Sequence, residues 1–202
     1  MKILARRLIP YFILLFLPLL ASASSVRRVD MAEVAGSAQL VFEGRVIAKH
    51  IEHTPGSRAI HTWVKFEILD LIKGQYDQPS IELSFLGGTA GDLSVTVSDM
   101  QIPAMGEHGI YFVEDISRPL VNPLYGWDQG HFLVQFDKDL RRQTVSTLGG
   151  QPVFGLDLGS LEKSRQELSK GIARGVLTEP QASRAGPLDP GDFKALLRGV
   201  VQ

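Results

Sequence analysis

The chain has 202 residues, of which 44% are apolar and 21% charged, and it contains 20 Gly, 11 Pro and no Cys. This composition excludes disordered, collagen-like and disulfide-stapled proteins, and the formal net charge is only −1. The length is enough for one ordinary globular domain.

The N-terminus has the order of a secretory signal peptide. Lys2, Arg6 and Arg7 precede an apolar run from Leu8 to Leu20, and small residues follow at 21–23. The run is well short of the roughly 20 residues that a helix needs to cross a bilayer. We therefore predict a signal peptide over residues 1–23, cleaved after Ala23, and an exported protein that is periplasmic or extracellular if bacterial. An uncleaved membrane anchor is the alternative.

Cleavage changes the charge of the chain. It removes three of the 21 basic residues and none of the 22 acidic ones, which leaves a net charge of about −4. After Arg27-Arg28, no cluster of Lys or Arg is longer than a pair. Since binding to phosphates needs a basic face, we expect no nucleic-acid partner. We also expect no membrane-spanning segment after cleavage.

The first predicted elements are a short helix over Asp30–Ala38 and two strands. Apolar residues occupy every second position from Leu40 and again from Ile60, which is the pattern of half-buried strands. A Pro-Gly turn at 54–57 joins them into a hairpin. Pairing Val46 with Val64 and Phe42 with Ile68 would keep the apolar positions on one face.

Further strands are predicted over 81–85, 93–97, 109–114, 131–136 and, more weakly, 142–148. Many short strands separated by Gly and Pro are typical of a sandwich or a closed barrel. We predict a mainly β fold, a small antiparallel OB-like barrel over residues 24–155. Alternate side chains from Leu40 to Phe136 should fill a single interior.

The composition changes after the predicted barrel. Residues 156–177 are predicted to contain a polar helix from Ser160 to Gly175, followed by a linker over 178–189. Asp189-Pro190 starts an amphipathic helix over 190–202. Its apolar face must be buried, either on the barrel or on another protein.

The five histidines raise the question of a metal site, and His50, His53 and His61 are the closest set in sequence. In a strand, residues three apart point to opposite faces. The predicted register places His50 on the inner side and His61 on the outer side, so three converging ligands are not expected. The glycine-rich run 87–91 resembles a nucleophile elbow but precedes a strand, so we interpret it as a loop. We expect no catalytic residue, metal or cofactor.

Four residues are candidates for partner binding. Tyr125 and Trp127 are amphipathic aromatics within the turn-rich segment 122–130, and such residues concentrate at binding hot spots. They could equally fold back over the end of the barrel. Phe193 and Leu197 are candidates because they lie on the apolar face of the last helix.

Three short segments carry a resemblance to a known family. They are residues 38–46, 64–74 and 106–112, with a small-apolar-Gly-apolar opening strand, a strand ending in Lys-Gly and a Gly-x-x-Tyr pattern. Residues 38–137 resemble the netrin module and the N-terminal domain of tissue inhibitors of metalloproteinases, and also a group of uncharacterised exported bacterial proteins. The resemblance implies an OB-type barrel that binds macromolecules. The inhibitors use an N-terminal Cys, whereas the expected mature chain starts at Ser24, so no inhibitory residue is carried over.

The function favoured by these observations is that of an exported, non-enzymatic β-barrel binding module that contacts a protein partner. One alternative is a small hydrolytic or metal-dependent exported enzyme using His50, His53, His61, His108 or His131. A further alternative is a structural component of the cell envelope.

Overall fold

The computed structural model describes residues 26–53, 56–159, 167–180 and 186–199. The predicted signal peptide, residues 54 and 55 of the predicted turn, and residues 200–202 of the predicted last helix lie outside these ranges. The helices are α1 (Met31–Ser37) and α2 (Pro190–Arg198). The strands are β1 (Leu40–His53), β2 (Ile60–Lys73), β3 (Ser80–Leu86), β4 (Gly88–Ala90), β5 (Leu93–Val95), β6 (His108–Val113), β7 (His131–Asp137), β8 (Arg142–Thr147), β9 (Gly155–Leu156) and β10 (Val176–Leu177).

Six strands form one antiparallel sheet in the order β3-β2-β1-β6-β7-β8. The mainly β, antiparallel fold with a short N-terminal helix and a C-terminal helix is therefore as predicted. Within the described ranges no ladder joins β3 to β8, so closure of the sheet into a barrel stays a prediction. None of the described helices is both long and apolar enough to span a bilayer.

The sheet has a hydrophobic core on each face rather than the single interior that we predicted. Adjacent residues Val41 and Phe42 are both buried, yet they belong to different clusters because successive strand residues point to opposite faces. Val41 packs with the two helices, while Phe42 packs with Phe66 and Tyr111. Phe136, which was expected inside, is 63% exposed.

The register of β1 on β2 also differs from the prediction. Val46 lies opposite Phe66 rather than Val64, and Phe42 lies opposite Leu71 rather than Ile68. The ladder shifts at three places, one of them between Glu43 and Gly44. The offset is two residues at Val46, which keeps every side chain on its face and is invisible in a burial pattern. It is three residues at Phe42, because the bulges of the ladder add an unpaired residue.

The glycine-rich run 87–91 is not a simple loop. Gly88–Ala90 forms β4, which pairs with β5 in a small separate hairpin, and the predicted fourth strand over 93–97 is reduced to Leu93–Val95. Gly88 has φ 136°, and a Cβ there would lie 2.8 Å from Oγ1 of Thr62. Gly87 and Gly88 are therefore closely packed at the start of the run, whereas Gly91, in the turn between β4 and β5, has open space around it.

The predicted polar helix is wrong for the part of it that the structure describes, residues 167–175. Leu168 forms a bridge with Arg27, and the backbone N–H groups of Ser169 and Arg174 donate to the carbonyls of Val26 and Val29. Pairing with the N-terminal segment thus replaces helical hydrogen bonds. Leu168, one of the few apolar residues of the predicted helix, is 66% exposed. So narrow an apolar face does not provide the packing that stabilises a helix in a protein. Residues 160–166 lie outside the described ranges.

The last helix begins where its capping signal predicts. The side chain of Asp189 accepts a hydrogen bond from the N–H of Asp192 at 2.8 Å, and Pro190 follows it. Phe193 and Leu197 are fully buried in the core that α1 also covers, and the ring of Phe193 lies 5.0 Å from that of Phe132. The helix therefore docks on the chain's own sheet.

Candidate functional site

The turn that leads into β7 is held by a buried glutamine. Gln129 accepts a hydrogen bond from the N–H of Val29 at 2.9 Å, and its amide donates to the carbonyls of Arg27 and Gly126, both at 3.0 Å. The side chain thereby satisfies backbone groups of its own turn and of a segment about 100 residues away. The turn is consequently fixed against residues 27–29.

The backbone at Trp127 is strained. Its φ is 62°, in the left-handed region that bulky residues rarely adopt, and it follows Gly126 at φ 64°. Such a conformation costs on the order of 1–3 kcal/mol and persists only where the surroundings impose it. Asp99, on a different loop, is also left-handed, with φ 57°. These residues face the same cavity.

That cavity, which we call the Trp127 cleft, has a volume of about 530 Å³. Three segments that are distant in sequence line it, together with Val26. The segments are residues 96–101, 126–128 and 169–171. The last of these reaches the cleft because it pairs with the N-terminal segment, as described above.

Asp128 is the most unusual polar group of the cleft. Its Oδ1 is buried and has no hydrogen-bond partner among the described residues, although the N–H of Gln101 donates to the carboxyl group. Burial raises the pKa of Asp128, and the charge of Asp99 raises it further, while His131 acts in the opposite direction. Two carboxyl groups thus share the cleft.

A second polar group lies at the start of β7. Nε2 of His131 donates to Oε1 of Glu107 at 2.7 Å, and the hydroxyl of Tyr111 donates to the same oxygen at 3.0 Å. Burial alone would raise the pKa of Glu107, but these partners and the N–H of Ala104 hold it below its usual range. His131 is only 1% exposed, and its Nδ1 has no partner within the described residues.

A third group joins α2 to the sheet. Nζ of Lys194 donates to Glu43 at 2.5 Å and to Asp70 at 2.7 Å, Arg198 also donates to Asp70, and Nε2 of His108 donates to Glu43 at 2.8 Å. The hydrogen bond from His108, aided by Lys194 and opposed by burial, lowers the pKa of Glu43 to about 2. Each of these side chains bonds another member of the group, so the group links α2 to β1 and β2.

The four predicted partner-binding residues differ in burial and in position. Trp127 lines the Trp127 cleft and is partly exposed. Tyr125 packs against the core, and its hydroxyl donates to Glu33 at 3.0 Å, so it supports the turn from within. Phe193 and Leu197 are buried in the chain's own core and offer no surface to a partner, which makes their prediction wrong.

The histidines do not form a metal centre in the part of the chain that the structure describes, where no group of three ligating side chains converges. His50, predicted on the inner side, is 57% exposed and stacks on Trp63 with ring centroids 6.2 Å apart. His61 lies opposite Glu52 on β1. Nε2 of His53 is 2.9 Å from the carbonyl oxygen of Ser57.

Sequence reasoning missed Asp99, Asp128 and the two buried carboxylates Glu43 and Glu107. Asp128 follows Trp127 directly and could have been included with the aromatic turn. Asp99 lies 29 positions before Asp128 in the printed sequence, and no local pattern links the two.

No family model, curated protein or solved structure matches the chain. The assignment of the Trp127 cleft therefore depends on its own geometry.

Proposed function

We propose that the protein is an exported, non-enzymatic binding module that contacts a protein partner through the Trp127 cleft. The observation that carries this proposal is the position of Trp127, a bulky residue kept in a left-handed conformation in the wall of a large cavity. Strained residues cluster at sites of recognition and catalysis, and partly exposed tryptophan is a frequent binding hot spot. These features support the Trp127 cleft as the contact surface of the proposed binding module.

Binding is favoured over hydrolysis by the position of the histidines. His108 and His131 both bond carboxylates, but both are nearly covered by protein. A general base must come within hydrogen-bond reach of the substrate proton. The better exposed His50 is paired with Glu82 and Trp63, outside the Trp127 cleft.

We also propose export after cleavage at Ala23 and a relationship to netrin-type barrels. The support for export is the order of the first 23 residues, and the support for the relationship is the set of segments in residues 38–137. N-terminal sequencing of protein recovered outside the cytoplasm should read Ser24-Ser25-Val26. Recovery of the intact N-terminus would contradict cleavage.

The binding proposal is tested by photo-crosslinking. A benzophenone amino acid replaces Ser98 in the cleft of the full chain, and in a matched control it replaces Lys138 on the exposed turn between β7 and β8. After irradiation in the source organism, we expect a discrete crosslinked protein from position 98 and not from position 138.

Specificity is tested with Trp127→Gly, because glycine adopts the same φ without strain. The crosslink from position 98 should be lost in this variant. The proposal is overturned if position 98 gives no crosslinked protein, if position 138 gives the same one, or if the product persists without the Trp127 side chain.

A further inference from the structure

We propose that the outer edge of β3 takes an extended, uncharged peptide segment of a partner protein, which adds to the sheet as a further strand. This inference goes beyond the proposed function, because the surface concerned shares no lining residue with the Trp127 cleft. It follows from unpaired backbone groups on β3, from an apolar slot beside them and from the pairing of the charges around that slot.

The backbone of β3 presents alternate residues to β2 and to the outside of the sheet. β3 is an edge strand of the six-stranded sheet, and its ladder with β2 has no register shift. At one end of the ladder the N–H of Gly87 donates to the carbonyl of Ile60 at 2.7 Å. At the other end the N–H of Ile68 donates to the carbonyl of Pro79 at 2.9 Å. Odd-numbered residues therefore bond to β2, whereas even-numbered residues direct their N–H and C=O groups away from it.

Two of the outward-facing residues, Glu82 and Ser84, have unpaired backbone groups. The N–H of Leu86 confirms the outward direction, because it donates to the carbonyl of Val121 at 2.9 Å rather than to β2. No such bond joins the N–H or C=O group of Glu82 or Ser84 to any described residue. Two donors and two acceptors therefore remain for an added strand, which would form four backbone hydrogen bonds with them.

The opposite edge of the sheet is covered by the chain itself. On β8, the N–H of Val145 donates to the carbonyl of Leu188 at 2.8 Å, and the carbonyl of Val145 accepts from the N–H of Val153 at 2.9 Å. Proteins commonly cover or pair a strand edge in this way. The described residues supply no such cover at Glu82 and Ser84.

A cavity of about 330 Å³ lies beside the bare part of β3, and we call it the β3 slot. Residues 82–84 and Trp63 form one wall, and residues 115–120 form the other. The hydrogen bond between Leu86 and Val121 places the second wall along the outer side of β3. Because the chain itself closes the far side, the slot suits a single extended segment rather than the edge of a second folded sheet. Addition of a strand to a free sheet edge is an established mode of peptide recognition.

The charged side chains of the β3 slot are already paired. Oε1 of Glu82 lies 3.4 Å from Nδ1 of His50, so this carboxylate is directed towards β1. Nε of Arg118 donates to Oδ2 of Asp115 at 2.8 Å. No charge of the slot therefore requires an opposite charge on the added strand.

The remaining large side chains of the β3 slot are apolar. They are Trp63, Leu83, Ile116, Pro119, Leu120 and Pro123. An apolar side chain of the added strand would be buried among them, whereas a charged side chain would lose its hydration without gaining a partner. The slot thus favours an uncharged segment, with affinity from backbone hydrogen bonds and specificity from the apolar side chain.

The probe for this inference is the synthetic peptide acetyl-Thr-Val-Thr-Val-Thr-Val-amide, which is uncharged and favours an extended conformation. Amide hydrogen exchange of the exported protein is followed by NMR with and without saturating peptide. We expect the amides of Glu82 and Ser84 to exchange about tenfold more slowly with peptide, because they become hydrogen-bonded. The amide of Leu83 already bonds to β2 and should not change. A control peptide with lysine in place of each valine should protect neither Glu82 nor Ser84.

The edge donor is tested by Ser84→Pro, which removes one outward N–H and leaves the hydrogen bonds of β3 to β2 in place. This variant should bind the peptide about tenfold more weakly. Ser84→Ala retains the N–H and is the matched control, with unchanged affinity. Slow exchange of the Leu83 amide in Ser84→Pro shows that β3 stays in the sheet. Ile116→Asp, at an exposed position, places a charge in the slot and should also weaken binding about tenfold.

The inference is overturned if Glu82 and Ser84 are not protected, if the lysine peptide protects them equally, or if Ser84→Pro or Ile116→Asp binds as tightly as the wild type. Protection that rises with protein concentration alone would also overturn it, because a second copy of the chain would then occupy the edge. Trp127→Gly should leave peptide binding unchanged, which separates this test from that of the proposed function. Loss of peptide binding in Trp127→Gly would place the peptide in the Trp127 cleft and overturn the inference.

Discussion

We call Phe193, Lys194, Leu197 and Arg198 the docking face of α2. The docking face and the Trp127 cleft both hold charged groups at partly buried positions, but the hydrogen bonding of these groups differs. On the docking face, Glu43 and Asp70 are both bonded by Lys194. In the cleft, a buried oxygen of Asp128 has no partner among the described residues, and the backbone at Trp127 is strained. In the first region the charged groups are paired and stabilise the contact of α2 with the sheet, whereas in the second a buried carboxyl oxygen stays unpaired, which costs stability.

The apolar half of the docking face should give the largest effect on stability. Phe193→Ala removes a fully buried ring that packs on Phe132, and it should lower the free energy of unfolding by about 3–5 kcal/mol. Urea denaturation measures the change. Phe136→Ala, at an exposed position of β7, is the control and should change it by no more than about 0.5 kcal/mol. Equal effects would show that α2 is not docked.

The polar half of the docking face should give the second-largest effect on stability. Lys194→Met removes the cation that Glu43 and Asp70 share, but Glu43 keeps His108 and Asp70 keeps Arg198. The loss should therefore be about 2 kcal/mol in urea denaturation. Lys138→Met removes an exposed lysine instead and should be nearly neutral. A loss below 1 kcal/mol for Lys194→Met would mean that the network contributes little.

Opposite signs of pH dependence should distinguish the two regions. The folded-state pKa of Glu43 is depressed to about 2, so its contribution is present above its ordinary value of 4.5 and is lost as the pH falls towards 2. Glu43→Gln should therefore cost about 2 kcal/mol at neutral pH, and the cost should shrink across that window. The pKa of Asp128 is raised, so the contribution of this one group to stability falls as the pH rises through its ordinary value and above.

Asp128→Asn should consequently be stabilising at neutral pH, by less than about 1 kcal/mol, and neutral below pH 4. Thermal unfolding of both variants from pH 2 to 7 measures the two profiles. A loss of stability with Asp128→Asn at neutral pH would contradict the conclusion that burial disfavours the charged form of this carboxyl group.

The smallest expected effect is at Trp127. Replacing it by glycine relieves the left-handed strain, which offsets the lost contacts, so the free energy of unfolding should change by no more than about 1 kcal/mol. Trp63→Gly is the matched control, because Trp63 lies in the regular part of β2 and its indole donates to Glu52. That variant should cost at least about 2 kcal/mol. Equal losses at both positions would contradict the conclusion that relief of backbone strain offsets the lost contacts of Trp127.

The features that sequence could predict are those with a local cause. Alternation of apolar residues predicted the long strands, and Asp189-Pro190 predicted the start of α2. What sequence could not predict depends on distant segments. The pairing of residues 167–174 with residues 26–30, the bulges of β1, and the meeting of Asp99 with Asp128 are all set by tertiary structure.

The same distinction explains the wrong partner-binding residues. Phe193 and Leu197 form an apolar helix face, and a sequence does not show what covers such a face. The ion pair that helps to hold α2 on the sheet joins Lys194 to Glu43, which lie 151 positions apart in the chain. No local sequence pattern connects the two. Trp127 was found because aromatic residues in turns are unusual by themselves, whereas its strain and its cleft required the structure.

The most direct test of the account combines stability and binding in one variant. The yield of the protein crosslinked from position 98 is measured for the wild type and for Trp127→Gly, on preparations whose free energies of unfolding are also determined. The account predicts equal stability within about 1 kcal/mol and loss of the crosslink. An undiminished crosslink in a stable Trp127→Gly protein would contradict it.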